Sequence, residues 1–230
     1  MKDLRIGVLG AGGRGGLARN AHKPGEGSAV VACCDTNQNV FERMRTWYGP
    51  DVFLTTSAAE LLKQDLDAVM ICTPDFLHEK HAVAALKAEI PVYLEKPMAI
   101  TIEGCDRILA TARKKKVKLF VGHNMRYMTI IRKMKALIDE GRIGDEVHYG
   151  NPMAAGGHGG SDLMIVGEFL NYVRGDIDTT TATPQAARMA VAAGYQATLS
   201  LRNGGKPYDV PPLPENRSTR CRLACRPASR

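Results

Sequence analysis

Leu4-Arg5-Ile6-Gly7-Val8-Leu9-Gly10-Ala11-Gly12-Gly13-Arg14-Gly15 is the stretch that decides the fold of this 230-residue chain. Residues 5–9 read as a strand buried on both faces, and the glycines begin where it ends. Gly10, Gly12 and Gly15 satisfy GxGxxG directly after a strand and at the opening of a helix, the context in which that pattern carries meaning. Gly10 permits a tight turn, Gly12 removes a side chain that would block a pyrophosphate, and Gly15 lets the helix approach the sheet. Gly13 and Arg14 belong to the same turn, whose helix N-terminus would aim N–H donors at phosphates. Asp35 ends the second strand, 20 residues after Gly15, where a carboxylate accepts hydrogen bonds from both ribose hydroxyls and repels a 2′-phosphate. The expectation is a dinucleotide site that takes NAD rather than NADP. Arg14, Arg43 and Arg45 are the residues that would accept a phosphate if they stand near it, and the bland alternative is a Gly-rich turn with a helix-capping aspartate.

Outward from this turn, β-rich apolar runs at 5–9, 30–34, 52–54, 68–71, 92–94 and 119–121 alternate with helical segments, the pattern of a parallel sheet covered on both faces. Ser57 and Glu60 match a capping box, Pro74 and Asp75 suit a helix entry, and Thr101 caps a helix whose basic end at 113–116 complements its dipole. The chain is therefore expected to be α/β: a doubly wound parallel-sheet Rossmann domain over 1–123, then a reduced, mostly helical C-terminal region over 124–210. In the latter, helices are expected at 130–140, from Ser161 with Val166, Phe169, Leu170 and Val173 on one face, and from Thr183-Pro184 to 201. A single strand at 146–149 leads into a Gly-rich junction at 151–160. Residues 211–230, with four prolines and five arginines, are expected to be a disordered tail.

The formal charge of +7 points first to polyanions, but five of the 31 basic residues follow Glu215, the last acidic one. Residues 1–215 carry 26 basic against 24 acidic groups, a balance of +2, so no nucleic-acid partner is expected. Cys33 and Cys34 are adjacent in a strand while Cys72 and Cys105 stand apart, which reads as buried thiols rather than a disulfide framework. Cys221 and Cys225 lack companion ligands, so no metal is expected. No apolar run reaches the roughly 20 residues that span a bilayer, and the reading is a protein of the reducing cytoplasm with no membrane partner.

Four further pieces join the turn and Asp35: Thr73-Pro74 with His78, Glu95-Lys96-Pro97 followed by Thr101, Asn124-Met125-Arg126-Tyr127, and Gly141-Arg142-Ile143-Gly144. As a set, over residues 2–149, they resemble the Gfo/Idh/MocA family of nicotinamide-dependent oxidoreductases, which act mainly on sugars, inositols and related polyols. The resemblance implies hydride transfer between NAD(P) and a sugar-like substrate, with Lys96 catalytic through a hydrogen bond to the reacting oxygen. A cation there would stabilise developing alkoxide charge. It also implies that Glu95 meets the nicotinamide end, that Thr73 and Pro74 line the dinucleotide, and that Asn124 and Arg126 face cofactor and substrate. His78 fits the family as a structural helix residue near the cofactor, and His22 and His81 read as surface or packing residues. Lys96 taken alone also reads as an exposed lysine after a strand.

Family members carry a mostly antiparallel sheet after the GxIG segment, with a further Asp and a His that serves as general acid or base. This sequence offers one strand candidate there, followed by helices that resemble the family's far C-terminal end, so most of that sheet is expected to be absent. Losing an acid/base typically costs about 10²–10⁴-fold in rate, so weak or lost turnover is expected. His123 and Tyr127 are the better replacements; His158 sits in a stretch that resembles the Gly-rich lead into a late helix. Two readings stand: an oxidoreductase acting on a polyol, and a dinucleotide-binding protein with little or no catalysis. The oligomeric state stays open, because relatives associate through the outer face of that sheet.

Overall fold

The computed structural model describes residues 2–141 and 160–214. Six strands form one parallel sheet: β1 (Leu4–Leu9), β2 (Ser28–Cys34), β3 (Phe53–Thr55), β4 (Ala68–Ile71), β5 (Val92–Glu95) and β6 (Leu119–Gly122). Their order is β3-β2-β1-β4-β5-β6, so the sheet grows outward from β1 in both directions. That reversal between β1 and β4 is the switch point of a doubly wound fold, where a crevice opens at the carboxyl edge. β4, β5 and β6 are buried at every position, as the apolar runs require when helices cover both faces.

The segment after the glycine turn, Arg14–Ala21, is a 3-10 helix rather than an α-helix. Glycines at 12, 13, 15 and 16 oppose regular helix formation, and the turn closes by a tight bond from Gly16 N–H to the Gly13 carbonyl at 3.1 Å. The α-helices are α1 (Phe41–Tyr48), α2 (Ala58–Leu61), α3 (His78–Lys87), α4 (Ile102–Lys115), α5 (Thr129–Asp139), α6 (Ser161–Arg174) and α7 (Pro184–Arg202). Thr101 and Thr183 cap α4 and α7 as read from sequence, their hydroxyls accepting from Gly104 N–H at 3.0 Å and Ala186 N–H at 3.2 Å. The capping box at α2 is only half realised. Ser57 accepts from Glu60 N–H at 3.3 Å, but the Glu60 carboxylate turns to the Thr55 hydroxyl, which itself accepts the Ser57 N–H at 3.0 Å.

α6 and α7 do not build a core of their own among the described residues; they complete the two faces of the sheet. On one face α6 buries Ile165, Val166, Phe169 and Leu170, with Phe169 edge-on to Tyr93 at 5.5 Å and tilted on Phe120 at 5.8 Å. Each such side chain is worth roughly 1.5–3 kcal/mol on burial, so four of them suffice to hold α6 against the sheet. On the other face Ala187 of α7 joins the cluster of α3, α4 and the strands. Arg188, 2% exposed, forks onto Asp106 of α4 at 2.9 and 3.2 Å and donates to the Pro211 carbonyl at 2.5 Å. Leu213 packs on the same cluster, so the stretch read as tail is tied down at its start. The expected strand at 146–149, the junction at 151–160 except for Gly160, and residues 215–230 lie outside the described residues.

Candidate active site

Sheet register gathers the candidate residues. Leu9 pairs with Cys34 and with Ile71, Ile71 with Leu94, and Leu94 with Val121, forming one level row across five strands. The residues one or two positions beyond that row are Gly10, Asp35, Thr73, Lys96 and His123. They emerge along a single edge because parallel strands all end on the same side.

The nucleotide end is a cavity of about 780 Å³ bordered by Gly10, Gly13, Asp35, Thr73 and Pro74. Gly10 has φ +80°, and a Cβ there would sit 2.7 Å from the Thr73 backbone nitrogen; one on Gly15 would strike the Gly10 carbonyl oxygen. This turn therefore admits no side chain at either position. Gly12 also keeps room for the Asp35 carboxylate. Its N–H donates to Asp35 Oδ2 at 2.7 Å, and a Cβ on it would press on that oxygen, whereas Gly13 has open space on the cavity side. Asp35 also accepts from Asn37 N–H at 2.9 Å through Oδ1, which fixes the carboxylate and leaves each oxygen a further lone pair. A glycine cradle without side chains, a fixed carboxylate and an open cavity at the switch point fit a dinucleotide.

Arg14 borders the same cavity, with its guanidinium held by two acids. Its Nε donates to Glu95 Oε1 at 2.7 Å and its two Nη atoms fork onto Asp162 of α6 at 3.0 Å each. Burial opposes its charge, but the bonds to Asp162 and Glu95 win and raise its pKa. Arg43 donates to the Gly12 carbonyl at 2.8 Å and covers the Trp47 ring, while Arg45 stands 3.8 Å from Glu42.

His78 is structural, and it lies beneath the cavity rather than in its wall. Buried, it places Nδ1 2.6 Å from the Pro97 carbonyl and Nε2 2.8 Å from the Thr73 carbonyl, stapling the Thr73-Pro74 turn to the Lys96-Pro97 turn. His81, read as a surface or packing residue, instead borders the cavity with its Nδ1 3.1 Å from the Thr73 hydroxyl. Burial, then Lys80 and His78, lower its pKa. Leu77, Lys80 and His81 share one helical face toward the cavity, a spacing visible in the sequence once Pro74 is taken as the helix entry.

Glu95 is buried and accepts from the Tyr93 hydroxyl at 3.1 Å and its neighbour's N–H, that of Lys96, at 3.2 Å, besides Arg14. Gly122 makes this possible, since a Cβ there would run into the Tyr93 hydroxyl. Lys96 itself is exposed and opens with His123 onto a second cavity, of about 610 Å³, between the turn at 96–100 and α7. His123 is part-buried, and its pKa is lowered by burial, then Arg126, with Glu95 opposing and Lys96 adding to the effect. Tyr127 is a poor proton carrier, because burial and the facing Glu168 push its pKa up. Asn124 and Arg126 border neither cavity. Asn124 is buried in the 3-10 turn Asn124–Tyr127, and Arg126 points to the Thr181 carbonyl at 3.2 Å. His158 lies outside the described residues, and among those described no cluster of three or more His, Cys, Asp or Glu could hold a metal ion. No helix among the described residues is long and apolar enough to cross a membrane.

Fold and site together define a Rossmann protein with a dinucleotide cavity at its switch point. The chain belongs to the Gfo/Idh/MocA family, whose model, an oxidoreductase family with an NAD-binding Rossmann fold, matches residues 4–123. It is 34% identical over 146 residues to an inositol 2-dehydrogenase of Pseudomonas savastanoi pv. phaseolicola, covering 62% of this chain and 43% of that one. It is 29% identical over 146 residues to a 2,7-anhydro-N-acetylneuraminate hydratase of Mediterraneibacter gnavus, covering 63% and 38%. Among solved structures, the WlbA dehydrogenase from Bordetella pertussis in complex with NADH and UDP-GlcNAcA superposes with a TM-score of 0.57 at 27% identity, covering 62% of this chain and 41% of that one. The scyllo-inositol dehydrogenase from Lactobacillus casei with bound NAD(H) and scyllo-inositol shares the fold, with a TM-score of 0.57 at 24% identity over 63% and 43%. The matches thus span about two fifths of the length of these relatives.

Proposed function

We propose that the chain is an NAD(H)-dependent oxidoreductase acting on a CH–OH group of a sugar, inositol or related polyol. The observation that carries this reading is the common sheet edge, with Asp35 and the Gly10 turn at one end and Lys96 with His123 at the other. Bound NAD would supply the hydride acceptor. Lys96 would hold the reacting oxygen and stabilise its developing negative charge. His123, whose neutral form is favoured by its surroundings, would take the hydroxyl proton. Arg14, Tyr93 and His78 act as positioning residues, the first two by fixing Glu95 and the last by tying the Thr73-Pro74 and Lys96-Pro97 turns together. NAD is favoured over NADP because the Asp35 carboxylate faces the ribose position and would repel a 2′-phosphate.

A second reading, dinucleotide binding with little or no turnover, draws on the exposure of Lys96, since water weakens the field that a cation exerts on an alkoxide. Titration of the full chain with NADH and NADPH, followed by nicotinamide fluorescence, tests cofactor binding, and a polyol screen with NAD separates the two readings. Lys96→Ala is expected to abolish turnover while NADH affinity stays within about two-fold. Equal residual rates in both proteins would remove Lys96 from the chemistry.

A further inference from the structure

The cavity beside Lys96 is lined by two cations, Lys96 and Arg202, and by no carboxylate. Neither cation has a side-chain hydrogen bond or ion pair among the described residues, whereas Arg14, Arg107 and Arg188 are each forked onto an acid. The remainder of the lining is mainly apolar. Ile100 stands 53% exposed and Tyr195 41% exposed in it, while Ala190 and Gly194 of α7 leave room between them. At about 610 Å³ the cavity lies within the size range, roughly 300–1,000 Å³, that holds small ligands.

We propose that this groove is the substrate site and that it selects a sugar-like ligand bearing a carboxylate or phosphate, with Arg202 holding the anionic group and Tyr195 packing on the ring. This rests on the oxidoreductase reading for the position of the reacting carbon, which Lys96 sets, but the charge preference stands on the lining itself. Two unpaired cations over a shared cavity repel each other, and an anionic ligand relieves that repulsion as it binds, whereas a neutral polyol leaves it in place. Arg202 lies in the last turn of α7, where its charge also offsets the negative pole of the helix that an anion would otherwise meet. The C–H face of a pyranose or cyclitol ring would pack on the Tyr195 ring, and its hydroxyl at the reacting carbon would point to Lys96 and His123.

The test is calorimetric titration of the full chain with glucuronate, glucose 6-phosphate and glucose, with and without saturating NADH. At least one acidic probe should bind about ten-fold or more tightly than glucose, the size expected of a charge-assisted hydrogen bond in a cavity. That gap should close to about three-fold or less in Arg202→Gln, while NADH affinity is unchanged. Tyr195→Ala should weaken all three sugars alike and keep the gap. Equal affinities for acidic and neutral probes, an unaltered gap in Arg202→Gln, or no binding by any probe would each overturn the proposal. The two arms keep the readings apart: failure of NADH to bind strikes the nucleotide site, while the Arg202-dependent gap is read without cofactor as well.

Discussion

Asp35 holds both carboxylate oxygens in place with backbone N–H groups from Gly12 and Asn37, so the side chain meets a ligand already oriented. Hydrogen bonds to a charged group are worth about 1.5–3 kcal/mol, and Asp35→Ala is therefore expected to weaken NADH by about 10–100-fold while weakening NADPH less. A direct fluorescence titration of both cofactors checks this, and parallel losses would deny Asp35 a role in choosing between them. His123 supplies a second test at this scale. Its pKa lies below 6.5, and a general base works deprotonated, so turnover should rise with pH through a single step below 6.5 and then level. His123→Asn should abolish that step without altering NADH affinity. The places of Gly10, Asp35 and Lys96 at one sheet edge were legible because each directly follows a strand. The ion pairs of Arg14 were not legible, since its partners Glu95 and Asp162 are 81 and 148 residues away and nothing near residue 14 announces them.

At the level of elements, two ion pairs of similar geometry should differ sharply in worth. Arg107 and Glu79 join α4 to α3 at 2.5 and 3.0 Å, but with side chains 58% and 35% exposed, so Glu79→Ala is expected to cost less than about 1 kcal/mol. Arg188 and Asp106 join α7 to α4 with the guanidinium buried, and Asp106→Ala leaves that charge uncompensated at a cost on the order of 3 kcal/mol. Urea unfolding of the two variants side by side measures the contrast, and equal losses would show that burial is not what matters here. Helix α6 was legible from its apolar spacing and α7 from its Thr183-Pro184 cap. Their placement was not, because an apolar stripe records that a helix is covered without recording by which face of which sheet. Only the packed structure sends Phe169 to Tyr93 and Phe120 and sends Ala187 to the opposite face.

For the molecule as a whole, three histidines respond to pH in the same direction. His22, His81 and His123 all have pKa values lowered by burial from 6.5, so between the folded values and 6.5 the unfolded chain binds more protons. Their contribution to stability is complete above 6.5 and is lost as pH falls through 6.5 toward the folded values. Glu79 and Asp3, with pKa values lowered by hydrogen bonds from Arg107 and from Gly25 and Gly27, withdraw theirs only as pH falls below 4.5 and 3.8. Thermal unfolding should therefore show a falling midpoint between pH 7.5 and 5.5, ahead of the carboxylates. A flat midpoint across that window would mean that these rings are not shielded from water.

The amino-acid sequence alone determined the strand order's raw material, the glycine turn, the acidic residue after β2 and the helix caps, because each is set by neighbours within a few residues. The tertiary structure decided which cations are engaged and which are open, that His81 rather than His78 borders the nucleotide cavity, and that α7 walls the groove beside Lys96. Those outcomes depend on side chains meeting across elements far apart in the chain. Such meetings follow from the sheet register and the faces on which α6 and α7 settle, and no local pattern encodes either.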